Sequence, residues 1–252
     1  MPTSSSPIWD GALNFADLGG LSLSGGGLTR HGRVFRSGAP EWLTTEGWRA
    51  ARAAELRRVI DLRNEAERGR GRDHPTVDES AAVGIEVVHL PTEDPDDPVF
   101  LAQCGPWLDH PRSWAPNLAL YPEKFASIFT ALAEAPGPVL IHCAGGRDRT
   151  GMVCSMLLAL AGAEAAAICV NYENGFRGAA LHRGHGWGYD PATDQWTTAP
   201  DRRWTVAELD GAVADRLPAL REWIAATDVR RHLGEAGLTS QRLDRLRGLL
   251  RR

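Results

Sequence analysis

Residues 138–151 read Pro-Val-Leu-Ile-His-Cys-Ala-Gly-Gly-Arg-Asp-Arg-Thr-Gly, an apolar run that ends in Cys143, a glycine-rich loop and Arg149. Five residues separate Cys143 from Arg149. Val139 to His142 reads as a buried strand and Asp148 opens a helix, so the turn between them must be tight. Gly145 and Gly146 allow this because they lack Cβ. In such a turn the backbone N–H groups converge on one anion. A phosphate there also meets the positive end of the helix, and Arg149 can grip two of its oxygens with a planar fork. The same field is expected to lower the pKa of Cys143, and the thiolate is the reactive form. The competing reading, a half-buried structural thiol followed by a basic turn, leaves the glycines and arginines without a purpose. The loop is therefore expected to bind phosphate and attack it.

The stretch His142-Cys143-x-x-Gly-x-Asp-Arg149-Thr150-Gly151 resembles the signature of cysteine-dependent protein tyrosine phosphatases. More narrowly it resembles the atypical, lipid-phosphatase-like branch of bacteria and fungi, whose loop reads His-Cys-x-x-Gly-Lys-Asp-Arg-Thr. Asn14-Phe15-Ala16-Asp17-Leu18-Gly19-Gly20, Arg36-Ser37-Gly38 and Asp61-Leu62-Arg63 also resemble that branch. Two positions depart from it: Ala16, where relatives have arginine, and Arg147, where they have lysine. The likeness runs over about residues 13–172, fades, and resumes after about 205.

The 252 residues carry 28 basic and 32 acidic side chains, a net charge of −4, so no global attraction to nucleic acid or to an anionic membrane is expected. The four cysteines, at 104, 143, 154 and 169, show neither metal-ligand nor disulfide spacing. No metal and no cofactor is expected. The start lacks a leader pattern and no apolar run approaches the roughly 20 residues that span a bilayer, so no stable membrane insertion is expected. A cytoplasmic, reducing setting follows for a chain that needs a free thiolate. Oligomeric state is left open.

The elements alternate short apolar strands with helices, the pattern of an α/β fold with a central, mostly parallel sheet flanked by helices. Residues 1–12 are expected to form a flexible tail and 13–252 one domain. Gly25-Gly26-Gly27 marks a short edge hairpin. Thr44 to Arg57 reads as an amphipathic helix, Arg58 to Arg63 as a strand, and Ile85 to Leu90 as a short buried strand halted by Pro91. Asp61, Arg63, Glu65, Glu67 and Arg68 are either solvated ion pairs or a structural group beside the site. The basic loop Arg68, Arg70, Arg72 reads as solvated.

Residues 92–117 are rich in proline, acid and aromatic side chains, and read as a helical lid over the loop. Helices follow over Pro122 to Glu134, Thr150 to Leu160 and about Ala163 to Asn171. Residues 174–204 read as an irregular insert. His182, His185 and Asp190 within it lack a third strong ligand and do not make a metal site. Residues 205–252 read as a helical C-terminal part: Thr205 and Glu208 form a capping box, Pro218 begins another helix, and Leu243, Leu246, Leu249 and Leu250 make an apolar stripe.

The resemblance implies a phosphomonoester hydrolase working through a cysteinyl-phosphate. Cys143 is then the nucleophile and Arg149 holds the transferring group together with the loop amides. His142, Ala144, Gly145, Gly146, Arg147 and Thr150 line the phosphate. His142 orients the loop, and Thr150 donates to the departing sulfur. The general acid is Asp148 in the resembling branch, with Asp94 or another aspartate of the lid as the alternative, since no Trp-Pro-Asp loop is present. Arg36 and Arg63 are further candidates near the site. The expected partner is a phosphorylated protein or phosphoinositide. A small-molecule phosphatase acting on a sugar, nucleotide or inositol phosphate stays open, as does a catalytically silent phosphate-binding module.

Overall fold

A computed structural model describes residues 9–181, 187–190, 192–193, 195–198 and 203–251. Its sheet contains β1 (Ala16–Asp17), β2 (Val34–Ser37), β3 (Arg58–Asp61), β4 (Glu86–His89) and β5 (Val139–His142), in the spatial order β1-β2-β5-β3-β4. Only β1 runs antiparallel. The helices are α1 (Thr45–Ala53), α2 (Pro98–Cys104), α3 (Trp114–Leu120), α4 (Pro122–Ala133), α5 (Asp148–Ala161), α6 (Ala165–Ala179), α7 (Val206–Ala226), α8 (Val229–Glu235) and α9 (Ser240–Leu249). A separate antiparallel pair joins β6 (Trp187–Asp190) to β7 (Gln195–Thr198). The expected α/β architecture is thus present.

Central β5 is apolar from Val139 to Ile141 because both faces of the sheet are covered. Val139 and Ile141 join Val34 and Ile60 in the core under α4 and α5, whereas Leu140 joins Phe35 and Val59 under α1. The two-residue period of the strands thus divides their side chains between two cores. Parallel register puts Ser37, His142 and Asp61 level at the carboxyl ends of β2, β5 and β3. Open α/β sheets gather their sites at that edge.

Several boundaries differ from the sequence expectations. Trp9 lies inside the presumed tail, yet it is 1% exposed and packs on Phe15 and Phe35 at centroid distances of 4.5 and 4.9 Å. An indole of that area is worth more against the sheet than in water. The strand expected to be buried at 85–90 is an edge strand, with Val87 57% exposed, because only β3 pairs with it. Helix α6 continues to Ala179, past the break expected at 174, and β6 and β7 lie within the expected irregular insert. Pro218 sits inside α7 rather than at a helix start. His182 and His185 lie outside the described residues.

The 92–117 segment carries α2 and the start of α3, and it is fastened at Trp114. That indole is 2% exposed and meets Tyr172 and Trp223 edge-on, at 5.6 and 5.1 Å. Phe100, Cys104 and Tyr121 make a satellite cluster beneath it. Leu220, Trp223, Leu233, Leu243, Leu246 and Leu250 of the C-terminal part belong to the same core as α5.

Trp114→Ala should cost about 3–5 kcal/mol of unfolding free energy, since it empties a fully packed site. Trp107→Ala, at a residue 38% exposed, should change stability by no more than about 0.5 kcal/mol. Denaturant titration of the two variants checks the contrast.

Candidate active site

The loop from Cys143 to Arg149 closes between β5 and α5. Gly146 has φ +65°, and a Cβ there would lie 2.4 Å from the backbone of Ser37, so glycine is required on two counts. The loop's carbonyls are turned away from its concave side. Ala144 O accepts from Ala39 N at 2.8 Å. Gly145 O and Gly146 O accept from Asn14 Nδ2 at 2.9 and 3.1 Å, and Gly146 O also accepts from Arg36 Nη2 at 2.6 Å. A planar trans peptide points its N–H opposite to its C=O. The N–H groups of Gly145, Gly146 and Arg147 are therefore aimed inward, at the place where an anion would sit.

Asn14 and Arg36 are themselves wedged between the loop and α6. Asn14 Nδ2 also donates to Gly175 O at 2.8 Å, and Arg36 Nη1 donates to Asn171 Oδ1 at 2.8 Å. A Cβ at Gly175 would lie 2.0 Å from Arg36 Nη2, and one at Gly178 would lie 2.1 Å from Asn14 Oδ1. Arg36, a candidate for touching substrate, instead braces the loop from behind at 1% exposure.

Cys143 is 3% exposed. His142 Nδ1 lies 3.2 Å from the carbonyl oxygen of Cys143 and must carry the proton there, since a carbonyl only accepts. Burial pushes the His142 pKa down to about 4, so it is a neutral imidazole. The Thr150 hydroxyl is fully buried and has no partner among the described residues.

Arg149 meets Glu67 through both terminal nitrogens, Nη2 donating to Oε1 at 2.6 Å, and Glu93 Oε1 lies 3.4 Å from Nη1. Burial opposes its charge, but Glu67, Glu93 and Cys143 outweigh burial and hold the guanidinium protonated. The two glutamates differ. Burial raises Glu93, and the neighbouring Glu67 charge adds to the rise against the pull of Arg149. Burial also works on Glu67, yet its hydrogen bonds to Arg149 prevail and lower it.

Asp148 opens α5 with its Oδ2 accepting from Arg147 Nε at 2.7 Å. Its Oδ1 is buried without a partner among the described residues. Burial raises its pKa, Arg147 opposing and Asp109 assisting. The alternative acid, Asp94, is exposed and its Oδ1 accepts from Asp96 N at 3.0 Å, a turn within its own segment. Arg63 is committed to Asp61, at 2.9 Å from both Nε and Nη2, and to Glu41 at 2.7 Å. Those bonds hold Asp61 at a pKa of about 2 despite its burial.

The loop carries His142, Cys143, Ala144, Gly145, Gly146, Arg147, Asp148, Arg149 and Thr150 together; Arg63 stands behind it, on Asp61 and at 3.3 Å from Glu67 O, and Asp94 is exposed next to Glu93. Sequence reading did not single out Asn14, Glu67, Glu93 or Gly175 as parts of the site. Only the acid-rich run after β3 hinted at Glu67.

Among the described residues no group of ligands suited to a metal occurs, and no helix is long and apolar enough to cross a membrane. Residues 7–251 match the tyrosine phosphatase family. A Cupriavidus necator protein provisionally named a tyrosine-protein phosphatase is 32% identical over 202 residues, 73% of this chain and 70% of its own. A tyrosine-protein phosphatase of Nostoc commune is 44% identical over 50 residues, 19% of this chain and 17% of that one. Among solved structures, TpbA of P. aeruginosa aligns at 16% identity over 77% of this chain and 87% of its own, with a TM-score of 0.36. The core catalytic domain of a PP-IP phosphatase from S. cerevisiae aligns at 13% identity over 88% and 91%, with a TM-score of 0.42. This chain is a phosphatase and belongs to the tyrosine phosphatase family.

Proposed function

We propose that the chain hydrolyses phosphate monoesters through a cysteinyl-phosphate, with phosphotyrosine as the substrate class. The observation that carries this reading is the set of inward-aimed amides of residues 145–147 between a buried cysteine and a charged arginine. Cys143 Sγ attacks phosphorus as the ester P–O bond breaks, while Arg149 and the loop N–H groups hold the equatorial oxygens. Asp148 gives its proton to the leaving oxygen. In the second step Asp148 takes a proton from water as that water attacks phosphorus, and the Thr150 hydroxyl donates to the departing sulfur. Inorganic phosphate and the free thiolate result.

Two points favour an aryl phosphate. A nucleophile only 3% exposed is reached more easily by a phosphate held out on a ring than by one on a short alkyl stem. The curated relatives also carry the name tyrosine-protein phosphatase. Arginine at 147 keeps the charge of the branch's lysine but offers a planar fork in place of a compact ammonium. All four cysteines are free, in keeping with a reducing cytoplasm. Turnover of phosphotyrosine peptides should exceed that of phosphoinositides and of a panel of sugar and nucleotide phosphates. A metabolite leading the panel would overturn the substrate assignment.

Cys143→Ser should retain binding of a phosphotyrosine peptide in calorimetry and lose all but about 1 per cent of turnover. Residual hydrolysis well above that level would remove Cys143 from the nucleophile role. Asp148→Asn should slow an ester with a poor leaving group about 10²–10⁴-fold and an activated aryl phosphate far less. The acid must be protonated to act, so kcat on the poor ester falls as pH rises through the Asp148 pKa. Because burial raises that pKa, the alkaline limb should lie above the ordinary carboxylate range and vanish in Asp148→Asn.

A further inference from the structure

Arg147 is gripped from outside the loop. Asp109, which follows α2, places Oδ2 2.7 Å from Arg216 Nη2 of α7 and 3.7 Å from Arg147 Nη2, and its carbonyl oxygen accepts from Arg216 Nε at 3.0 Å. Both guanidinium carbons also lie against the ring of Phe176 on α6, that of Arg147 at 5.1 Å and that of Arg216 at 4.8 Å from the centroid. Two cations sharing one ring repel, and the Asp109 carboxylate between them offsets this. Arg216 is nearly buried, and further contacts to Ala212 O at 3.1 Å and Asp215 at 3.8 Å hold it in place.

The other end of Arg147 meets the reacting group. Its Nε donates to Asp148 Oδ2, so that oxygen is an acceptor and a transferable proton must sit on Oδ1. If the Arg147 side chain swung away, no other hydrogen bond among the described residues would fix which oxygen carries the proton. We propose that Asp109 is a positioning residue for the acid step: backed by Arg216, it clamps Arg147 onto Phe176, so that Arg147 Nε holds one oxygen of Asp148 and presents the other to the leaving group. The 92–117 segment would then act on the chemistry through Asp109 rather than through Asp94. The inference rests on the reading of Asp148 as general acid.

The test compares kcat on one poor and one activated aryl ester for the wild type, Asp109→Asn, Asp148→Asn and the double variant. Asp109→Asn should slow the poor ester about tenfold and the activated ester less than about twofold. In the Asp148→Asn background it should add no loss that depends on the leaving group, and Asp109→Glu should restore most of the rate. Equal losses on both esters in Asp109→Asn, or a full leaving-group effect persisting without Asp148, would overturn the proposal while leaving the acid intact. Equal losses in Asp148→Asn itself would instead remove the acid assignment, and the proposal with it. Should Asp109→Asn fail to fold, as judged by its thermal transition, Arg216→Gln removes the backing charge and is read by the same outcomes.

Discussion

A loop that is to receive a phosphate must turn its carbonyl oxygens away from it, and in this protein Asn14, Arg36 and Ala39 do the turning. Each takes an oxygen of Ala144, Gly145 or Gly146 on the outer side of the loop. Arg36 does so from full burial, where an unpaired guanidinium would cost several kcal/mol. Its bonds to Gly146 O, Asn171 O and Asn171 Oδ1 offset that cost only because α6 comes close enough to supply two of them. The approach requires glycine at 175, where any side chain would displace Arg36. The shape of the loop thus depends on residues packed behind it.

Carboxylates govern the two loop arginines in different ways. Glu67 meets Arg149 through both terminal nitrogens and fixes the plane of its fork, an arrangement that limits the rotamer freedom lost when phosphate binds. Glu93 stands by the same guanidinium with its acidity weakened by burial and by the Glu67 charge, because two buried carboxylates on one cation do not ionise equally. Arg147 bridges outward, between the Asp148 carboxyl and the Asp109–Arg216 pair on Phe176. One arginine is held by two glutamates and the other by the carboxylates on either side of it.

The sheet and its helices were legible because short apolar strands and 3.6-residue periodicity are local properties. Val139 to His142 showed itself as a central strand, and Pro122 to Ala133 as a helix with proline in its first turn. Misreadings arose where local chemistry and tertiary context conflict. The glycines at 175 and 178 look like a helix break, yet they lie in α6 because their missing Cβ atoms leave room for Arg36 and Asn14. Pro218 looks like a helix start, yet the packing of Leu220 and Trp223 into the main core carries α7 through it. Trp9 looks like part of a tail, since Phe35, the ring it meets on β2, lies far along the chain.

By itself the sequence determined that a cysteine, an arginine six positions on and a glycine turn between them sit where a strand gives way to a helix, since that spacing fixes a tight loop from local geometry alone. It could not say what holds that geometry, because Asn14, Arg36, Glu67, Glu93, Asp109 and Arg216 come from segments far apart in the chain. Only the parallel order β2-β5-β3, with α6 and α7 folded over the loop, brings their charges within hydrogen-bonding reach. Such contacts are set by which elements become neighbours, and no local pattern in a chain encodes that.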